Sequence, residues 1–349
     1  MTSIPAAFVE TDVAVIGAGP VGLWQVFQLG LQGLRCHVLD VLPHVGGQCA
    51  QLYGDKLIYD IPGIAACTGV QLAAQLRAQT APFAPVWHLG AQVNTLTQQD
   101  DGRWQLSTHT GVQLLAKAVV IAAGAGAFQP KLLKLEGVQP LVGHSVHYHP
   151  ADLAALPLQG QHVLVHGGDE TAVQAALQAL AQQPASVTLM HRRDVFTAPQ
   201  PLLDQLHTAR DAGQLRVLAA QPLALQATGT ALQQVQVALA DGSEATLPVQ
   251  QWLVFQGISP KLGPVADWGL ALLKKQLPVD TATFVTEAPG IYAVGDINTY
   301  PGKRKLIVCG FHEATLAAFS IAEYLSDQPV LLQYTSSSSH LQSLLGVAP

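Results

Sequence analysis

The β-branched run Asp12–Ile16 leads straight into Gly17-Ala18-Gly19-Pro20-Val21-Gly22, and then into 23–34, where apolar residues recur at helical spacing. A second apolar run, 35–40, ends on Asp40, an acid 23 residues beyond the first glycine. Strand, glycine turn, helix, strand and acid together make the pattern of a dinucleotide-binding unit. Gly17 makes the tight turn, Gly19 lets a diphosphate approach the main chain, and Gly22 lets the helix pack close to the strand. The helix N-terminus, opening at Pro20, offers unpaired N–H groups and a partial positive charge to the phosphates. Asp40 is placed to accept hydrogen bonds from an adenosine ribose.

A second unit of the same shape begins near Gln161. Residues 162–168 read as strand and turn, 170–183 as helix and 186–190 as strand. The turn is less regular: Gly167, Gly168, Thr171 and Ala172 fit, but Asp169 stands where the pattern wants bare backbone. A carboxylate within about 4 Å of a diphosphate costs on the order of 1–4 kcal/mol, depending on local dielectric. Its side chain also fills the space a glycine leaves open, unless a rotamer pointing away relieves both. The expectation is weakened or reshaped binding rather than loss. The unit ends on His191, Arg192 and Arg193 instead of an acid, and cations in that place suit a 2′-phosphate, favouring NADP over NAD. A solvated basic turn is the alternative.

These units need two cores, and 349 residues supply enough chain for two domains. Two further passages from strand to glycine, 116–130 and 289–303, flank the second unit. The expected fold is α/β with two Rossmann-like dinucleotide-binding domains: 1–124 with 286–349, and 125–285 inserted between them. The formal charge of −6 argues against a general nucleic-acid binder. No apolar run approaches the ~20 residues that span a bilayer. The N-terminus shows no basic region followed by a signal core, so the expected location is cytoplasmic. Cys36, Cys49, Cys67 and Cys309 are scattered and read as small packed residues, with no Cys-x-x-Cys for a dithiol centre or zinc knuckle.

Taken together, the four glycine passages resemble the two-dinucleotide flavoprotein reductases of thioredoxin-reductase type. Ala293-Val294-Gly295-Asp296 fits that group's Ala-x-Gly-Asp near the flavin, and "HRRDVF" fits its NADPH segment, although Thr197 stands where an arginine is often found. The missing dithiol shifts the resemblance to the thioredoxin-reductase-like ferredoxin/flavodoxin–NADP reductases. So do "LPHVGGQCAQLYGDKLIYDIPG", "GAFQPKLL", "VHYHPADL" and the long stretch from Gly269 to Ala314. The resemblance implies FAD in the first domain and NADPH in the second, with ferredoxin or flavodoxin as partner. It puts flavin contacts at Asp40, Gln48, Val93, Phe128 and Asp296, a tail hydroxyl at or near Ser337, and Tyr53 stacked on the isoalloxazine. It also implies a homodimer in which the partner subunit's tail covers the flavin, with Tyr334 or His340 as the stacking residue; a plain disordered tail is the alternative. No acid–base catalytic residue is expected, since the chemistry is flavin-centred.

Two signals carry less. His144, His147 and His149 suggest a metal but lack a further placed ligand, so no metal is expected. The basic run 302–306 reads as a solvated loop, or as a surface for an acidic ferredoxin. Two other functions stay open on the residues: another NADPH-dependent flavin reductase, of a quinone, a ferric chelate or a separate dithiol protein, and a flavin-binding redox sensor with an impaired second site.

Overall fold

The computed structural model describes residues 8–150, 152–326 and 338–347. Seven α-helices lie among them: α1 (Pro20–Leu31), α2 (Gly47–Tyr53), α3 (Gly69–Thr80), α4 (Glu170–Leu180), α5 (Gln200–Asp211), α6 (Ile307–Leu325) and α7 (Ser339–Leu345). The chain divides into two compact units, Met1–Ala127 with Pro260–Pro349, and Phe128–Ser259.

The first unit is built on a seven-stranded sheet. Val9–Ile16 sits between Cys36–Asp40 and Gln113–Ile121, parallel to both. Val86–Leu89 extends the parallel edge, while Trp104–Thr108 and Val93–Gln98 continue antiparallel on the other side. Gln113–Ile121 is shared along its length. Its first half pairs with Trp104–Thr108 and its second half with Ile291–Ala293, which returns parallel after the second unit. The central parallel strands become apolar and buried toward their carboxyl ends, as strands covered on both faces do, and Cys36–Asp40 is buried at every residue, His37 and Asp40 included.

The second unit has its own seven-stranded sheet, in the order Val146–Tyr148, Gln251–Phe255, His162–Gly167, Ser186–His191, Arg216–Thr228, Ala231–Leu239, Glu244–Pro248. The first five strands are parallel and the last two form an antiparallel meander. The α4 face packs Ala172, Val173, Ala176 and Ala179 onto Val163, Val165 and Leu189. Both sheets are thus of the doubly wound kind that the glycine patterns predict.

The inserted unit ends earlier than the boundary at 285 read from the sequence. Beyond Ser259 the chain already feeds the first core: Leu277 packs with Ile16 and Leu39, and Phe284 packs with Val13 and Tyr292. This segment is mostly irregular, so no period revealed which core owned it.

In the first unit the helix and strand approach as closely as glycine allows. A Cβ on Gly22 would sit 1.9 Å from the Gly17 carbonyl oxygen, and one on Gly17, at φ +113°, would sit 2.3 Å from that of Ala122. Gly22→Ala therefore pushes α1 off the sheet, and we expect a loss of about 1–3 kcal/mol, the usual scale of overpacking. Thermal denaturation of the variant against the parent measures it.

Candidate functional site

Three parallel strands of the first unit end side by side, at Ile16, Ile121 and Ala293. The chain leaves them as Gly17–Gly22, as 122–124 and as Gly295-Asp296. Main-chain bonds from Ala122 N to Ile16 O (2.8 Å) and from Val294 N to Ile121 O (3.0 Å) hold these exits in register. The result is a crevice at the carboxyl edge of a parallel sheet, where doubly wound folds bind ligands.

The helix at this crevice has an open end. Its N-cap is Gly19, no side chain caps it, and its first turn holds no acid. The amides at its start and the dipole behind them are therefore available to an anion. A second glycine loop backs this turn: Gly46 N donates to Ala18 O (2.8 Å), and a Cβ on Gly47 would meet Gly19 Cα at 2.8 Å. The open helix end and the bare backbone around it fit the diphosphate of a dinucleotide.

Asp40 lies at the end of its strand, 9% exposed. One carboxylate oxygen accepts from Ala18 N (2.6 Å) and the other from Leu42 N (2.8 Å). Burial raises its pKa, and the two amide bonds oppose that shift. The residue read as a ribose contact is thus first of all a tie between the glycine turn and the next loop. Each oxygen keeps a further lone pair for a sugar hydroxyl.

Gln48 and Tyr53 both lie on α2, the first half-buried and the second 44% exposed, with Lys56 Nζ 5.8 Å from the Tyr53 ring centroid. Val93 is buried in the core cluster that includes Ile16 and Leu39. Asp296 opens the turn after Gly295, half-buried. Phe128 falls in the strand Ala127–Pro130, but its side chain lies outside the described residues, as do Tyr334 and Ser337. His340 sits in α7, which packs on its own chain against α1 and the 3₁₀ turn Ala81–Phe83. Phe83 of that turn packs at Gly30, so α7 lies toward the end of α1 remote from the glycine loop.

A cluster absent from the sequence reading anchors the Asp296 turn. Glu313 of α6, fully buried, accepts from Gly295 N (2.7 Å), Asn298 Nδ2 (2.8 Å), Tyr300 Oη (2.9 Å) and Lys303 Nζ. Lys303 also donates to Gly295 O (2.8 Å), so both polar groups of Gly295 are held by one ion pair. Burial and the Glu313 carboxylate push the Tyr300 hydroxyl up to about 12. Within 302–306, read as a solvated basic loop, Lys303 is the exception: its side chain is 7% exposed and spent internally, whereas Arg304 and Lys305 are exposed. The signal available in the sequence was Glu313 itself, an acid on an otherwise apolar helix face.

The second unit holds a cleft of about 590 Å³ at the carboxyl ends of its parallel strands. Gly167, Gly168, Asp169, His191, Arg192 and Arg193 line it, joined by Lys131, His166 and Gln256. Gly168 is required by the His191 ring, 2.7 Å from where its Cβ would stand. That ring is fixed in turn by Nδ1 contacts to the carbonyls of Arg193 (2.9 Å) and Val195 (3.0 Å). Arg192 and Arg193 are exposed, with no ion pair among the described residues. Ala172 is buried under the turn. Asp169 does not point away. It is the N-cap of α4, accepting from Ala172 N (3.1 Å) and from the Thr171 hydroxyl (2.7 Å). Thr197 closes the loop by donating its N–H to Gly168 O (2.8 Å).

Of the histidine-rich segment, His147 bonds Gln251 (3.0 Å) and His149 turns out of the strand at φ +43°. Among the described residues no three His, Cys, Asp or Glu gather to hold a metal, and no helix is long and apolar enough to cross a membrane.

The sequence profile of the family described as pyridine nucleotide-disulphide oxidoreductase matches residues 11–314. The chain belongs to that family. It is 54% identical to a ferredoxin–NADP reductase of Paracidovorax citrulli over 98% of both chains. It is 56% identical to one of an Acidovorax species, over 97% of this chain and 96% of the relative. Among solved structures, a T. acidophilum thioredoxin reductase aligns with a TM-score of 0.60 at 20% identity, covering 90% of this chain and 98% of its own. A bacillithiol disulfide reductase of Staphylococcus aureus reaches 0.65 at 16% identity, covering 91% and 99%. These two share the fold that the family name implies.

Two outcomes follow from the site. Lys303→Met leaves Glu313 buried without its partner, and a loss of about 3–5 kcal/mol in denaturant unfolding is expected, the scale of a broken buried pair. His166, 4% exposed, is held down to about 4 from 6.5 by burial and by the neighbouring His191. Between those two values the unfolded chain binds the proton and the folded chain does not, so stability falls as pH drops through this window. The loss is on the order of 3 kcal/mol. His166→Gln is expected to flatten that part of the stability–pH curve.

Proposed function

We propose that this chain is an FAD-dependent oxidoreductase that takes a hydride from NADPH and passes electrons to ferredoxin or flavodoxin, as a ferredoxin–NADP reductase. The observation that carries this reading is the uncapped N-terminus of α1 over Gly17–Gly22, in a chain more than half identical, end to end, to relatives of that name. A flavin held there would supply the means to take a hydride and give up single electrons.

The chain's own residues bind and orient. In the first unit, Gly17, Gly19, Pro20 and Gly22 receive the FAD diphosphate on the α1 amides, with Asp40 on the adenosine side. Gln48, Val93, Phe128, Asp296 and Ser337 are further flavin contacts, and Tyr53 offers its exposed ring to the isoalloxazine. The Glu313–Lys303 pair holds the Asp296 turn in place. In the second unit, Gly167, Gly168, Thr171 and Ala172 form the turn that meets NADPH, and His191, Arg192 and Arg193 meet its 2′-phosphate. Where the tail serves the flavin, it does so in a homodimer, from the partner subunit. The absence of a Cys-x-x-Cys supports a one-electron protein acceptor over an internal dithiol. The setting that fits is cytoplasmic.

Purified protein is expected to be yellow, to bleach on anaerobic NADPH addition, and to reduce cytochrome c only when ferredoxin or flavodoxin is supplied. A flavin that NADPH reduces but that serves neither carrier would refute the assignment. Arg192→Ala with Arg193→Ala is expected to raise KM for NADPH at least about tenfold and leave that for NADH unchanged, since a lost charge-assisted contact costs roughly 1.5–3 kcal/mol.

A further inference from the structure

The two glycine turns differ at the feature that matters most to an anion. At α1 the helix end is open; at α4 it is filled by a carboxylate from the chain itself. Asp169 accepts from the third amide of α4 and from the Thr171 hydroxyl, two donors at the end of the helix that faces the cleft. Glu170 adds a second acid in the first turn. The backbone at Asp169 is extended (φ −100°, ψ 177°) and bridged to Thr197, so the carboxylate is built into the turn. A helix end so capped has its partial positive charge cancelled and one of its donors taken.

We infer that Asp169 is an internal competitor for the diphosphate of the nicotinamide dinucleotide, so that the second unit holds this ligand chiefly by its adenosine 2′-phosphate end. The inference rests on NADPH being the ligand of that cleft. The same cleft supplies what the helix withholds: Lys131, Arg192 and Arg193 line it, and the His191 ring packs at Gly168 beside the turn. Binding is then weaker than the cations alone would give, and the deficit is common to NADPH and NADH, since both carry the diphosphate. The ratio between them is set at Arg192 and Arg193, which Asp169 does not touch.

Asp169→Asn separates charge from structure, because asparagine caps a helix about as well as aspartate. Isothermal titration of the flavin-loaded parent and variant would use three probes: NADP⁺, NAD⁺ and adenosine 2′-monophosphate, which has no diphosphate. The expected result is that Asp169→Asn tightens NADP⁺ and NAD⁺ by the same factor, about tenfold, and leaves adenosine 2′-monophosphate within twofold of the parent. Unchanged or weaker NADP⁺ binding in the variant, with adenosine 2′-monophosphate still bound, would overturn the inference and leave the NADPH reading standing. Failure of both NADP⁺ and adenosine 2′-monophosphate to bind either protein would overturn the NADPH reading and the inference with it. Melting temperatures of the two proteins check that the cap survives.

Discussion

The first unit depends on one close approach, that of α1 to the turn before it. The Gly17 carbonyl occupies the place where a side chain at Gly22 would begin. Only with that distance closed do the first amides of α1 point into the crevice between the ends of three strands. The remaining ties serve to keep it closed. Asp40 fastens Ala18 to Leu42, Gly46 fastens to Ala18, and Val21 packs against Gly295 and Gly310, where extra Cβ atoms would stand 3.4 and 2.4 Å from its methyls.

The most deeply buried polar cluster described in this unit lies under the Gly295 turn. Glu313 satisfies its carboxylate with four donors, one of them charged, and thereby holds the Gly295 turn by both its N–H and its C=O. A buried pair of this kind adds little net stability relative to an apolar replacement, but it allows few arrangements of the groups around it. The Gly295–Asp296 turn is therefore held in one arrangement.

The second unit repeats the architecture with a different electrostatic balance. Its helix end is neutralised from within by Asp169, and its cleft wall is cationic. Affinity for a diphosphate dinucleotide shifts from backbone dipoles to side-chain charges.

Much of this was legible in the residues. Apolar β-branched runs, glycines at fixed offsets, Asp40, and the pair Arg192 and Arg193 are local features, and local sterics and hydrogen-bonding capacity determine what each can do. The chain by itself therefore determined two dinucleotide-type units, their order, and the residues at their turns. Three things needed the tertiary structure. The boundary at Ser259 depends on which core receives Leu277 and Phe284, a matter of packing between segments far apart in sequence. The fate of Lys303 depends on Glu313, ten residues on and on a different element, so one lysine of a run that reads as surface charge enters an interior ion pair while Arg304 and Lys305 stay exposed. The direction of the Asp169 carboxylate depends on a rotamer fixed by the Ala172 amide and the Thr171 hydroxyl. Composition and spacing specify which groups exist and how often they recur; only the folded chain decides which donor each acceptor meets.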